Sequence, residues 1–309
     1  MENKAYPFHE PVLLAETLNY LSIDKLAHLH GTKVIDATLG FGGHTIEILK
    51  RGVSVLGIEA DRETLKLAKN EIADACPASE NKFGSYKLIH SNFKDIDQVA
   101  LENGFEFVDG FLFDLGVSTF QLTSKKRGLS FIHPRSHLDM RIDTASQAVD
   151  ASMLLNALDQ TQLSNLFAKV FHLGLAKKIA LAIVRQRVYK PFVTVEDLLN
   201  LVAKLPKTAS LKINPATKIF MALRMAVNSE LENLSESLPK AFSLLNESGR
   251  LVVISFHSGE DSIVKSFMKK MVDEKKAVRI TSKPVVPSGS EISKNPRSRS
   301  AKLRCIEKI

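Results

Sequence analysis

DATLGFGGHT, residues 36–45, ends an apolar run on an acid and then crowds glycines around one aromatic residue. The run before it, Lys33-Val34-Ile35-Asp36, reads as a strand, and Thr45-Ile46-Glu47-Ile48-Leu49 begins a helix that ends near Gly52. A second strand, Val53 to Glu59, also ends in an acid, and a helix from Arg62 to about Ala73 follows it. This is a βαβ unit. Tyr86 to His90 reads as a third strand before Ser91-Asn92-Phe93, and Val108 to Asp114 as a fourth. Strands alternating with helices imply a mostly parallel, doubly wound sheet. Upstream, Pro11 sits where a first helical turn tolerates it, with Leu14, Leu18 and Leu21 at helical spacing behind it.

From about Gln121 to Pro215 no buried strand is legible. Leu163, Leu166, Phe167 and Val170 form a helical stripe, and Leu175, Ile179 and Ile183 form another after Gly174. Thr194 caps a further helix, with Asp197 three residues on. An all-helical domain is therefore expected inside the sheet domain, dividing the chain into residues 1–122, 123–213 and 214–309. Asn214-Pro215 opens a long helix on the return, and Arg250 to Phe256 is the next strand, followed by a helix from Asp261 to Lys270. A Pro/Ser/Lys-rich loop, Lys283 to Ser300, connects two final strands, the last running from Lys302 to Ile309.

With 309 residues, 44% hydrophobic and 25% charged, the chain can bury a full core, which excludes a disordered tail or fibre. Met1 to Pro7 lack a basic-then-apolar signal, and no stretch approaches the roughly 18 apolar residues of a membrane span, so a cytoplasmic protein is expected. Cys76 and Cys305 have no metal-ligand spacing and read as reduced thiols, and no metal is expected. A net charge of +8 favours a polyanionic partner. The basic residues gather at Lys177, Lys178, Arg185, Arg187 and Lys190, and again at Arg297, Arg299, Lys302 and Arg304. Either cluster alone also reads as a solvated face.

In open α/β sheets ligands bind at the carboxyl ends of the strands. Here those ends carry Asp36, Glu59, Phe93 and Asp114. The dinucleotide fingerprint G-x-G-x-x-G finds only Gly40-Phe41-Gly42-Gly43-His44-Thr45, with Thr45 in place of the third glycine. Asp36 opposes a pyrophosphate further, because a carboxylate repels the anion that a glycine loop holds. A ligand with a cationic head and a ribose fits better, and S-adenosylmethionine has both. Asp36 attracts the charge, Gly42 and Gly43 let the backbone approach, Glu59 accepts from the ribose hydroxyls, and Phe93 covers the adenine. The alternative makes the glycines a tight turn and Phe93 a core residue.

DATLGFGGHT, GIEADRETL, SNF, DLGVSTFQL, RGLSF, LDMRID, INPATKIFMALRMAVNSEL, GRLVVISFHSGEDSIVK and NPRSRSAKLR, in this order, resemble the motifs of the ribosomal RNA small subunit methyltransferase H family, also called MraW. The resemblance covers nearly the whole chain. It implies a class I S-adenosylmethionine-dependent methyltransferase fold, Rossmann-like, with an inserted helical domain. It also implies N4-methylation of a cytidine in the decoding region of 16S rRNA within the small ribosomal subunit. The family's cofactor contacts fall on Gly42, Gly43, His44, Glu59, Phe93, Asp114 and Gln121. The chain departs from the family pattern with Glu59 for aspartate, Asn214 for histidine, Lys218 for arginine, Gly259 for leucine and Thr123 for an acid. The acidic pair expected near Val170 to Leu175 is missing.

An exocyclic amine is a poor nucleophile because its lone pair conjugates with the ring. Asp114, ending the fourth strand, is the candidate acceptor for the amine hydrogens, or a cofactor contact only. DLGV is not the asparagine-proline-proline-aromatic tetrapeptide of many amino-methyltransferases. Asp139, Arg141 and Asp143, with His257 and Ser258, are candidates for holding the base. Arg141 paired with its flanking acids and His257 as a turn residue are the plainer alternatives. Arg297, Arg299, Lys302 and Arg304 are candidate phosphate contacts, and the target base must be unstacked to react. Exposed apolar faces on the inserted helices allow a homodimer. Two rival classes share parts of this pattern: a nicotinamide-dependent dehydrogenase, opposed by Asp36, and a non-catalytic RNA-binding protein, which has no use for acids at three strand ends.

Overall fold

Runs that are apolar at nearly every position, rather than at alternate ones, bury both faces of a sheet, and that is what the central strands do. The computed structural model describes residues 11–29, 31–77, 80, 82–205 and 214–309; residues 1–7, on which the signal reading rests, lie outside them. Helices α1 (Leu14–Tyr20) and α2 (Ile23–Leu26) precede β1 (Lys33–Asp36), α3 (Gly43–Leu49), β2 (Ser54–Glu59) and α4 (Arg62–Ala75). β3 (Tyr86–His90), α5 (Ile96–Asn103) and β4 (Val108–Asp114) complete the first half of the sheet. Six helices follow: α6 (Thr119–Thr123), α7 (Ala151–Ala157), α8 (Gln160–Ala168), α9 (Leu173–Tyr189), α10 (Val195–Lys204) and α11 (Pro215–Val227). The chain then runs through α12 (Glu230–Leu244), β5 (Leu245–Ser255), α13 (Ser258–Asp273), β6 (Ala277–Arg279), α14 (Gly289–Lys294) and β7 (Lys302–Lys308).

The strand order is β3-β2-β1-β4-β5-β7-β6, parallel except where β7 pairs with β5 and β6. This is the mostly parallel, Rossmann-like sheet that the sequence resemblance implies. Successive residues go to opposite faces, as the period of a strand requires. Ile35, Leu56, Phe111, Phe113, Leu251 and Val253 pack with α5, α12 and α13. Val34, Val55, Leu112, Val252 and Ile254 pack on the other face with α1, α3 and α4.

Two units are distinguished by their contacts: residues up to Gly116 with Glu232–Ile309, and Val117–Leu231. These limits differ from the expected 122/123 and 213/214. The second moves because Ile219, Phe220 and Leu223 of α11 pack in the helical core with Leu163, Phe167 and Ile179. Within Val117–Leu231 the regular elements of the described residues are helices, with an irregular stretch between α6 and α7, and the strand-like pairing among them is an isolated bridge, His137 with Thr194. Among the described residues no helix is long and apolar enough to cross a membrane.

Four local readings need correction. Pro11 lies ahead of α1 rather than in its first turn, because the chain passes through Leu13 at φ 53° before the helix starts. Gly174 does not precede its helix but sits in the first turn of α9, capped by His172. The long helix from Pro215 is two helices, broken at Asn228 and at Ser229 with φ 50°. The loop after Lys283 is not structureless, since it carries α14 and the short helix Pro296–Ser300. Both cysteines are free and buried, and burial pushes the Cys305 thiol up to about 12.

Candidate active site

β1 and β4 are neighbours, with strands numbered outward in both directions from them, so the crevice at their carboxyl ends is the topological switch point of the sheet. Asp36 ends β1 and is 1% exposed. Its Oδ2 accepts from the Thr45 hydroxyl at 2.8 Å and its Oδ1 from the Thr38 N–H at 3.2 Å. Burial raises the carboxyl to about 6 against the pull of those two donors.

Glu59 ends β2. Its Oε2 accepts from the Gly40 N–H and its Oε1 from the Asp61 N–H, each at 2.9 Å. Burial, more than these bonds lower it and with Asp61 and Asp36 adding to it, lifts Glu59 to about 7. Asp61 in turn caps α4 through the Glu63 N–H, which explains why EADRET follows the strand directly. Asp114 ends β4, and its backbone N–H donates to the Thr38 hydroxyl at 2.6 Å. Its Oδ1 is buried with no hydrogen-bond partner among the described residues. Burial first, then Asp36 and Glu260, hold its carboxyl well above the usual carboxylate range.

The glycine loop is tight for steric reasons. Gly42 takes φ 82°, the left-handed region that favours glycine, and a Cβ there would stand 2.7 Å from Ile72. At Gly43 a Cβ would stand 2.5 Å from Pro11. His44 is buried in the first turn of α3, its Nε2 3.1 Å from the Val12 carbonyl and its Nδ1 3.8 Å from Asp114 Oδ2. Phe93 is half-buried at the start of a short helix after β3, edge-on to Phe113 at 5.8 Å between ring centroids. The structure thus brings Asp36, Glu59, Asp114, His44 and the glycines to one end of the sheet. Thr38 and Thr45, which link Asp36 to Asp114 and to α3, were not singled out from the sequence. Their signal was the polar spacing within DATLGFGGHT itself.

Of the other sequence candidates, His257 follows β5, the neighbour of β4, while Gln121, Asp139, Arg141 and Asp143 belong to the helical unit. Gln121 forms a capping box with Ser118 at the start of α6. Arg141 grips Asp139 with two bonds, Nε to Oδ1 at 2.7 Å and Nη2 to Oδ2 at 2.8 Å, and donates a third to the Gln147 carbonyl. Asp143 accepts from the Ala145 N–H, and Met140 between these acids is fully buried at φ 64°. Asn228 holds this strained segment by donating to the Met140 carbonyl and accepting from the Ile142 N–H, each at 2.8 Å. His257 caps α13 in a capping box with Glu260. Glu260 itself was missed, although its place three residues after His257 is the capping signature. In the C-terminal cluster Asp261 holds Arg304 at 2.7 Å and Lys302 at 3.2 Å, while Arg297 and Arg299 lie on the exposed helix Pro296–Ser300.

A family model described as the MraW methylase family matches residues 7–309. The ribosomal RNA small subunit methyltransferase H of Dictyoglomus thermophilum is 40% identical, over 97% of this chain and 96% of its own. That of Thermomicrobium roseum is 39% identical, over 100% of this chain and 96% of its own. Among solved structures, an rRNA methylase from Streptococcus thermophilus aligns with TM-score 0.43 at 13% identity, covering 93% of this chain and 94% of its own.

Proposed function

The chain belongs to the MraW methylase family, and on that premise we propose that it methylates N4 of a cytidine in the decoding region of 16S rRNA, using S-adenosylmethionine. The cofactor supplies a methyl group carried on a positively charged sulfur. The strand ends fit it, because among the described residues a buried carboxyl oxygen of Asp114 has no protein partner and Asp36 has no lysine or arginine partner. Asp36 and Asp114 offer negative charge to a cation, Glu59 offers its remaining lone pairs to ribose hydroxyls, and Gly42 and Gly43 offer close backbone approach. Phe93 offers an aromatic face, and the family resemblance adds His44 and Gln121.

Asp114 carries the reading. An amine that gains a methyl must shed a proton, and a carboxylate facing it both accepts its hydrogen bonds and takes that proton. Alignment of the amine with the donor supplies much of the remaining rate. Asp114→Ala is expected to abolish transfer while the chain still folds; near-normal turnover by that variant removes Asp114 from the mechanism. Asp139, Arg141, Asp143 and His257 act in this reading through the segments they hold in place. Arg297 and Arg299 contact phosphate, with Lys302 and Arg304 set beside Asp261 as a more rigid part of the same cluster. The acceptor is the assembled small subunit in the cytoplasm. A second copy pairs through exposed apolar residues of α9, Val188 and Tyr189, which sedimentation of the purified chain tests directly.

A further inference from the structure

The imidazole of His44 is engaged by groups outside the glycine loop. A carbonyl oxygen only accepts, so the Nε2 of His44, 3.1 Å from the Val12 carbonyl, carries a hydrogen. In the neutral ring Nδ1 is then a lone pair, and it faces Asp114 Oδ2 at 3.8 Å. That separation suits a contact that tightens when a substrate complex forms.

The Val12 carbonyl is itself fixed. The next residue, Leu13, is fully buried in the left-handed region at φ 53° and ψ 39°, a strained conformation for a bulky residue. The strain turns the Val12–Leu13 peptide so that its carbonyl meets His44 while its N–H donates to Glu291 Oε1 at 2.8 Å. Pro11 closes on Gly43 beside it. Distant parts of the chain thus specify one tautomer of a histidine in the loop.

Among the described residues, the titratable groups that face Asp114 are Asp36 from the end of β1, Glu260 from the first turn of α13 and His44 from α3. Two are acids. Of the three, His44 is the one that becomes a cation on taking a proton, which favours the carboxylate it leaves behind. We propose that His44 is a positioning residue for Asp114, taking its carboxyl proton on Nδ1 so that Asp114 presents a carboxylate to the amine. The Oδ2–H bond breaks, the Nδ1–H bond forms, and the pair keeps zero net charge. Nε2 continues to donate to Val12, and Oδ1 is left to take the proton the amine sheds. The proposal rests on Asp114 being the amine's acceptor.

The test begins without cofactor. In protein labelled with 15N-histidine, the His44 ring is expected to be Nε2-protonated when neutral, and to remain doubly protonated to a pH at least about one unit higher in the wild type than in Asp114→Asn. An Nδ1-protonated ring, or identical titrations in the two proteins, overturns the pairing. His44→Gln keeps a donor for Val12 and removes Nδ1. At saturating S-adenosylmethionine it is expected to lose roughly 100-fold or more in kcat and to shift the acid limb of the kcat profile to higher pH. The limb moves that way because Asp114 without its partner keeps its proton longer. A His44→Gln enzyme with an unmoved limb, or with weakened S-adenosylhomocysteine binding and unchanged kcat, contradicts the proposal. If His44→Gln fails to fold, the titration of wild type against Asp114→Asn decides. Should Asp114→Ala prove active, the reading of Asp114 fails, and the same titration still reports on the pair.

Discussion

Asp36 shows how one residue divides its service between fold and function. Its carboxyl is held at about 6, with burial the leading cause, so in the unfolded chain, where a carboxylate titrates near 4, it loses its proton more readily. The folded state therefore gains from Asp36 only while the group is protonated, and stability drains away as pH rises from about 4 to about 6. Asn keeps an oxygen for the Thr38 N–H, can donate its amide to the Thr45 hydroxyl, and carries no charge. Asp36→Asn is expected to raise stability at pH 8 by about 1–3 kcal/mol, with the gain shrinking toward pH 5, while weakening S-adenosylmethionine binding. Urea unfolding at the two pH values, with calorimetric titration of the cofactor, reads both halves. A variant that is no more stable at pH 8 than the wild type contradicts the buried-charge account.

Elements follow from local signals where the signal is local. β1, β3 and β4 match their sequence limits residue for residue, since each ends an apolar stretch on a polar residue, and the Thr194 cap is equally plain. Asp197 accepts from both the N–H and hydroxyl of Thr194 and from the Val193 N–H, and meets Lys190 Nζ at 2.6 Å. Burial, the largest influence on Asp197, raises its carboxyl, but Lys190 and the Thr194 and Val193 donors together lower it to about 2. Its stabilisation is present above the ordinary carboxylate range and is lost as pH falls toward about 2. Thr194→Ala is expected to cost about 1 kcal/mol at pH 7, and the loss from Asp197→Asn is expected to be smaller at pH 3, both by denaturant unfolding. α5 was not legible because Ile96, Val99 and Ala100 make too short a stripe without the sheet face that receives them. The meeting of Val12 with His44, 32 residues apart, and of Leu13 with Glu291, 278 apart, is tertiary and leaves no pattern in either segment. In the C-terminal cluster Arg299→Glu is expected to weaken rRNA binding and flatten its salt slope by about 1. Arg304→Ala breaks the half-buried pair with Asp261 and is expected to lower the melting temperature as well. Equal effects of both on melting would remove the distinction between them.

At the scale of the molecule, a sheet unit carries acids at three adjacent strand ends and a helical unit is inserted after β4. The chain as a whole carries a net charge of +8, which suits an enzyme whose cofactor is cationic and bound at buried acids and whose acceptor is a polyanion. Raising ionic strength is expected to weaken rRNA binding steeply and S-adenosylmethionine binding little, since buried charges are poorly screened. The account's central claim is tested most directly by incubating the purified chain with labelled S-adenosylmethionine and small ribosomal subunits that lack the modification, then digesting the RNA to nucleosides. Label recovered as N4-methylcytidine from the decoding region is the predicted result. Label on another atom or another RNA, or none despite cofactor binding, would contradict it.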